Sequence, residues 1–339
     1  MTEPVYTLTM LKAGKGDAIW ISVGKDPDVK HILIDTGPDC GGHVLKAQVE
    51  AMERKYGKPV VISLLVISHI DDDHISGAEY FLRNLKNLNL KIEALWFNGY
   101  RQVFAKKKEA RDALGENTAE SVSAWAETLG IPINPGLPED CALTTVSWTQ
   151  SQVDRLGLPE GLAISLLGPT PERIQRLKLK WETKMKGKPG QVFDKALTDV
   201  LGASDPGNDV SKANGSSITL LLEYAGKTVL LSADAFASDL ADALAARSSK
   251  DITFFKLSHH GSFNNVSASL IAANPAPHYL VSGNVPHNET VTFVHGHRPD
   301  ALFHFNYDAP REKIIQAVPA IRLGPAPGDT GLVLDLIAT

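Results

Sequence analysis

The chain has 339 residues, room for one large domain or two small ones. At 43% hydrophobic and 22% charged residues it is globular in composition, and 27 Gly with 20 Pro are too few for a collagenous or low-complexity protein. A net charge of -5 excludes a polycation built to coat nucleic acid, and two cysteines, Cys40 and Cys141, exclude a disulfide framework or a four-thiolate zinc site. The opening Met1-Thr2-Glu3-Pro4 has no apolar core and no run of 18 apolar residues follows, so the expectation is a cytoplasmic protein with no membrane span.

In chain order, residues 5–10 and 18–23 read as strands joined by a turn at Gly14-Lys15-Gly16-Asp17, and residues 30–34 as a third strand stopped by Asp35-Thr36-Gly37-Pro38. Residues 44–56 have helical apolar spacing. The continuous apolar run 60–67 predicts a strand buried on both faces. A helix is predicted at 76–85, a strand at 92–97, and a charged helical pattern over 101–130. Residues 161–167 read as a strand, 173–188 as a basic stretch, and 189–215 as a loop rich in Gly, Asp, Ser and Asn. A hairpin spans 218–231, a helix 238–247, and strands 252–257, 278–282 and 331–337. Strands grouped in each half with helices between them predict two sheets packed face to face with helices outside. No linker divides the chain, so residues 1–339 read as a single domain with a helical insert at about 100–160 and a basic and loop insert at about 170–213.

The sharpest chemistry lies in Ser68-His69-Ile70-Asp71-Asp72-Asp73-His74, directly after the buried strand. Two imidazoles and three carboxylates this close repel and resist joint ionisation unless a cation sits among them. Imidazole and carboxylate are ligands that zinc, manganese and iron accept; the alternative is a solvated acidic turn. A second cluster, Ser258-His259-His260-Gly261-Ser262, again places histidines at the end of an apolar strand, followed by a glycine where backbone approaches a ligand closely. Between them, Asp234 follows the run Val229-Leu230-Leu231-Ser232-Ala233 at another strand end, where sites collect in layered folds.

The pattern His69-x-Asp71-x-Asp73-His74, with strand-end Asp234 and the later histidines, resembles the metallo-β-lactamase fold superfamily. It is more similar to the branch attached to the competence DNA-uptake channel (ComEC) and its free-standing relatives. Gly14-Lys15-Gly16-Asp17-Ala18, Asp35-Thr36-Gly37, Asn214-Gly215-Ser216-Ser217, His259-His260-Gly261-Ser262 and Gly296-His297-Arg298-Pro299 carry that likeness. The resemblance runs from about residue 5 to the C-terminus, broken at 100–160 and 170–212. It implies an α/β fold, an αββα sandwich of two mixed β-sheets flanked by helices, and a metal-dependent hydrolase. It also implies the ligands: Asp73, His74, Asp234 and His259 on one metal, His69, Asp71 and the bridging Asp234 on another. Whether His259 or His260 ligates stays open, the other being placed to donate a proton to the leaving group, and His297 is a further ligand or transition-state stabiliser.

The chain departs from many relatives in having no histidine from Ile75 to Ser258, so Asn214 or Ser217 takes the place of a third-motif His. Asp71 also stands where other branches place His. More oxygen and less nitrogen shifts the expected pair of divalent ions from zinc toward manganese or magnesium, and the chemistry toward phosphodiesters. The expected activity is therefore a two-metal phosphodiesterase or nuclease with catalytic Asp73, His260 and His297. Its alternatives are a hydrolase of small phosphodiesters or nucleotide signals, and a catalytically restrained or non-catalytic component of a larger assembly.

The run Arg173, Arg176, Lys178, Lys180, Lys184, Lys186 and Lys188 can track a nucleic-acid backbone while Trp181 stacks a base; the alternative is a solvated helix face with Trp181 anchored in the core. Residues 190–210 are expected to form a lid over the site, opened by a regulatory partner or a protease. Asp17 is expected beside a ligand histidine or as a turn cap. Cys40 reads as an inert small residue and His287, His295 and His304 as surface or rim residues, with His295-x-His297 at chelating spacing if on a strand.

Overall fold

Strands that are apolar on both faces need cover on both, and the chain meets this with four layers. The computed structural model describes residues 3–38, 41–104, 118–138, 140–185, 209, 211–248 and 251–339. The first sheet holds β1 (Pro4–Leu11), β2 (Ile19–Lys25), β3 (Lys30–Ile34), β4 (Val60–Ile67), β5 (Leu90–Ile92), β6 (Leu95–Phe97) and the last strand, β14 (Gly331–Asp335). Its order is β14-β1-β2-β3-β4-β5, with β6 also on β4. The pairs from β14 to β3 are antiparallel, and those of β4 with β3, β5 and β6 are parallel. The second sheet contains β7 (Ala163–Gly168), β8 (Thr219–Tyr224), β9 (Lys227–Leu231), β10 (Phe254–Lys256), β11 (His278–Val281), β12 (Leu302–Phe305) and β13 (Arg322–Leu323), in reverse sequence order. From β9 to β13 it is parallel.

Strand alternation sends one set of side chains between the sheets and the other outward. Tyr6, Leu8, Ile21 and Trp96 meet Leu220, Leu222, Leu231, Phe254 and Leu280 in the inner core. Outside the first sheet lie α1 (Gly41–Tyr56), α2 (Asp72–Arg83), the short α3 (Tyr100–Phe104) and α4 (Thr118–Leu129). Leu45, Phe81 and Val122 of this layer pack on Leu33 and Leu65. After α5 (Ser151–Asp154) and α6 (Pro171–Met185), the second outer layer is built by α7 (Ala237–Ala245), α8 (Ala268–Ala273), α9 (Asn288–His297) and α10 (Asp308–Ala317). Leu240, Leu270, Val294 and Ile314 of that layer cover Phe255 and Phe303. The fold is the expected sandwich of two mixed sheets flanked by helices. Among the described residues no helix is long and apolar enough to cross a membrane.

Several local expectations change. The helix expected at 76–85 begins at Asp72, so Asp72, Asp73 and His74 form its first turn, where carboxylates suit the helix dipole. The strand expected at 92–97 is two strands, β5 and β6, both paired with β4. His295 and His297 are on α9 and not on a strand; at 3.6 residues per turn they point roughly 200° apart and do not chelate. Trp181 is 6% exposed and packs with Tyr100, Val103, Ile174 and Leu177, a cluster that rests on Ile70. It offers no face for a base. Cys40, Lys186, Lys188 and the 190–210 loop, apart from Asp209, lie outside the described residues.

Candidate metal centre

The C-terminal ends of the strands bring the polar residues together at one edge of the sandwich. His69 follows β4, and Asp71 stands at the N-cap position of α2 with its side chain making no capping bond, while α2 presents Asp73 and His74. Asp234 follows β9, and His259 and His260 follow β10. Asp234 is the centre of the arrangement. Its Oδ1 is 3.3 Å from His74 Nε2, and its Oδ2 is 3.8 Å from His69 Nε2 and 3.6 Å from His259 Nε2. His69 Nε2 is 3.7 Å from Asp71 Oδ2, and His260 Nε2 is 3.3 Å from Asp73 Oδ2. His259 and His260 both hold left-handed backbone, at φ 51 and 56, costly for residues with a Cβ. That strain turns two successive imidazoles toward one space.

Each histidine is held by its other nitrogen. Asp35 Oδ2 accepts from His74 Nδ1 at 2.7 Å and from Ser68 Oγ at 2.7 Å, while its Oδ1 accepts from the Ser68 N–H at 2.7 Å. Asp17 Oδ1 lies 3.2 Å from His260 Nδ1, with Ser282 Oγ also at 3.2 Å. His259 Nδ1 is 3.2 Å from Asp209 Oδ2 and 3.2 Å from Asn265 Oδ1, with the Asn214 amide at 3.4 Å. His69 Nδ1 is 3.0 Å from Ser68 Oγ. Carboxylates behind imidazoles fix the ring and leave Nε2 for a ligand.

Charge is distributed to match. Burial, helped by the His74 charge, depresses the His69 imidazole to about 3. Burial opposes charge on His74 too, but Asp234 and Asp35 overcome it and hold His74 well above its ordinary value. Burial pushes the Asp35 carboxyl up against its bonds to His74 and Ser68; His74, between two carboxylates, is the partner that keeps the proton. His260 is raised to about 9, against burial, by Asp17. Asp234 is buried yet held below the usual carboxylate range by His74. Burial raises Asp71, and Lys180 of α6 is the leading charge that offsets it.

The donor set fits a divalent cation. His69 Nε2, His74 Nε2, His260 Nε2 and Asp234 Oδ1 are all buried and make no hydrogen bond. They meet one another, Asp71 or Asp73 only in ion contacts of 3.3–3.8 Å, and buried polar groups without a well-formed hydrogen bond, four of them facing one space, are a departure from ordinary packing. Among the described residues, two groups have ligand atoms within 4.8 Å of one another: Asp17, His74 and His260, and His69, His74 and Asp234. The family model for the metallo-beta-lactamase superfamily matches residues 19–283. The chain belongs to this superfamily. Among solved structures, this superfamily member is similar to the metallo-beta-lactamase fold protein YhfI from Bacillus subtilis, at 10% identity over 97% of this chain and 99% of that one, TM-score 0.44. It is also similar to Zn(2+)-bound PqqB from Methylobacterium extorquens, at 13% identity over 97% of this chain and 100% of that one, TM-score 0.42. No curated protein matches the sequence.

The remaining expected site residues divide. Asn214 reaches His259, and Ser217 Oγ accepts from the Asp234 N–H at 3.3 Å. Asp17 stands behind His260. His297 ends α9, exposed, with its ring on Phe293 and its Nδ1 2.9 Å from the Phe293 carbonyl. Lys184 is in the last turn of α6. Arg173 is paired with Asp239 and Arg176 with Glu172. Two residues that support the site were given no role from the sequence: Asp35, a strand stop within the Asp35-Thr36-Gly37 likeness, and Asp209, within the expected lid.

Proposed function

We propose that this metallo-beta-lactamase superfamily protein is a two-metal phosphodiesterase. The carrying observation is the set of four buried, unbonded ligand atoms, His69 Nε2, His74 Nε2, His260 Nε2 and Asp234 Oδ1, flanked by the carboxylates Asp71 and Asp73. In this reading His69, Asp71 and Asp234 hold one cation, with His259 beside them. Asp73, His74, Asp234 and His260 hold the other, because His260 Nε2 rather than His259 Nε2 adjoins Asp73. The mixed imidazole and carboxylate set suits zinc or manganese. Two such cations supply charge that activates a water and neutralises a phosphodiester. The chain's own residues do the positioning: Asp35, Asp17 and Asp209 orient His74, His260 and His259.

The motif likeness to the DNA-uptake branch supports a nucleic-acid substrate. Burial of Trp181 and the pairing of Arg173 and Arg176 with carboxylates remove two supports for a polymer track, and favour the second reading, a small phosphodiester. The test is hydrolysis of a chromogenic phosphodiester and of plasmid DNA with added Mn²⁺ or Zn²⁺, by wild type and Asp73→Asn. Turnover by wild type with loss of about a thousandfold or more in the folded variant is expected. Undiminished turnover in the variant refutes the assignment, and the substrate cut separates polymer from small diester.

A further inference from the structure

Alternation along β10 sends Phe254 into the inner core, Phe255 into the outer layer, and Lys256 inward again. Lys256 is 0% exposed. A lysine is almost never fully buried unless paired, and this one has a specific pair: its Nζ lies 2.9 Å from Asp17 Oδ2 and donates to the Leu257 carbonyl at 3.0 Å. From Asp17 the contacts continue to the centre. Asp17 Oδ1 is 3.2 Å from His260 Nδ1, and His260 Nε2 is 3.3 Å from Asp73 Oδ2.

The backbone locks the same parts. The Asp17 N–H donates to the Asp73 carbonyl at 3.2 Å. A Cβ on Gly16 would stand 1.8 Å from that carbonyl oxygen, so only glycine lets the β1–β2 turn lie against α2. Asp17 is therefore fixed relative to Asp73, and Lys256 joins the second sheet to that fixed point. A buried carboxylate needs a charge partner that remains when the imidazole beside it turns its other nitrogen to a cation. Lys256 is that partner.

We propose that Lys256 is a positioning residue for the metal position beside Asp73, acting through Asp17 to hold His260 with Nε2 toward that carboxylate. This rests on the two-metal reading above. The test is a Zn²⁺ titration of the whole chain against a chromophoric chelator at fixed pH, for wild type, Lys256→Met, Asp17→Asn and the double variant. Wild type takes up two Zn²⁺. Lys256→Met weakens one of them about tenfold or more and leaves the other unchanged, and Asp17→Asn weakens the same one about 10–100-fold. The double variant binds no more weakly than Asp17→Asn, because Lys256 acts only through Asp17. Wild-type affinity in Lys256→Met, or a double-variant loss equal to the product of the single losses, overturns the proposal. Should Lys256→Met not fold, the double variant, which leaves no buried charge unpaired, is compared with Asp17→Asn: equal affinity upholds the proposal and a further loss overturns it. A wild type that takes up no Zn²⁺ removes the two-metal reading and this inference with it.

Discussion

Asp35 offers the cleanest separation of folding from metal binding. It is 1% exposed and accepts three hydrogen bonds, each at 2.7 Å, from the Ser68 N–H, Ser68 Oγ and His74 Nδ1. In Asp35→Ala the Ser68 hydroxyl can turn to His69 Nδ1, 3.0 Å away, but the Ser68 N–H and the His74 N–H lose their acceptor. Two buried donors at about 1–3 kcal/mol each give a loss of roughly 2–6 kcal/mol, a large part of the stability of an ordinary domain. Asp35→Asn keeps the shape and the Ser68 N–H bond, so it loses only about 1 kcal/mol. Its amide now donates to His74 Nδ1, so the ring gives up its Nδ1 proton and keeps the one on Nε2, the atom 3.3 Å from Asp234 Oδ1. The lone pair a cation needs is gone, and Zn²⁺ affinity falls about 10–100-fold. Urea unfolding in the presence of a chelator and Zn²⁺ titration of the folded variants check both halves. An Asp35→Ala protein as stable as wild type, or an Asp35→Asn protein that binds Zn²⁺ undiminished, refutes the reasoning.

Two further outcomes follow from residues away from the centre. Burial, with the charges of Lys58 and Lys55, lowers His31 from 6.5 to about 4. The unfolded chain therefore binds a proton that the folded chain refuses between these values, so the contribution of His31 is full above pH 6.5 and is lost as pH falls to 4. The loss is about 3 kcal/mol. Urea unfolding of a His31→Gln variant across this range should show a pH slope smaller by about that amount, and an unchanged slope counts against it. Trp181→Ala empties the cluster on Ile70 and should cost about 3–5 kcal/mol in thermal or urea unfolding while leaving KM for the active substrate within about twofold. A raised KM at unchanged stability would instead place Trp181 on the substrate.

Much of the frame is legible because strand ends and turns are local. The apolar run at 60–67 is β4 itself, and the turn at Gly14 to Asp17 lies between β1 and β2 as expected. The stretch after residue 288 is harder. α9 buries only Thr290, Val291 and Val294 in ten residues, too few to set a helical period, and a histidine pair in its last turn imitates strand alternation. β12 interrupts its apolar run with His304, which reads as polar until His278 Nδ1 is found 3.0 Å from its Nε2.

The centre shows the same division between local and distant information. His69, Asp71, Asp73 and His74 are legible because one strand end and one helix turn carry them. Their supports are not, because Asp35 stands 39 residues from His74, and Asp17 stands 243 residues from His260. Nor can spacing choose between His259 and His260. In a strand or helix, neighbours diverge; here consecutive left-handed residues swing both Nε2 atoms inward, one toward Asp234 and one toward Asp73. The first sheet contributes His69, Asp71, Asp73 and His74, and the second contributes Asp234, His259 and His260. Neither sheet alone assembles a ligand set around Asp234. A cation held there joins the two sheets at the edge where the inner core ends, so its binding free energy is also free energy of docking one half of the sandwich on the other.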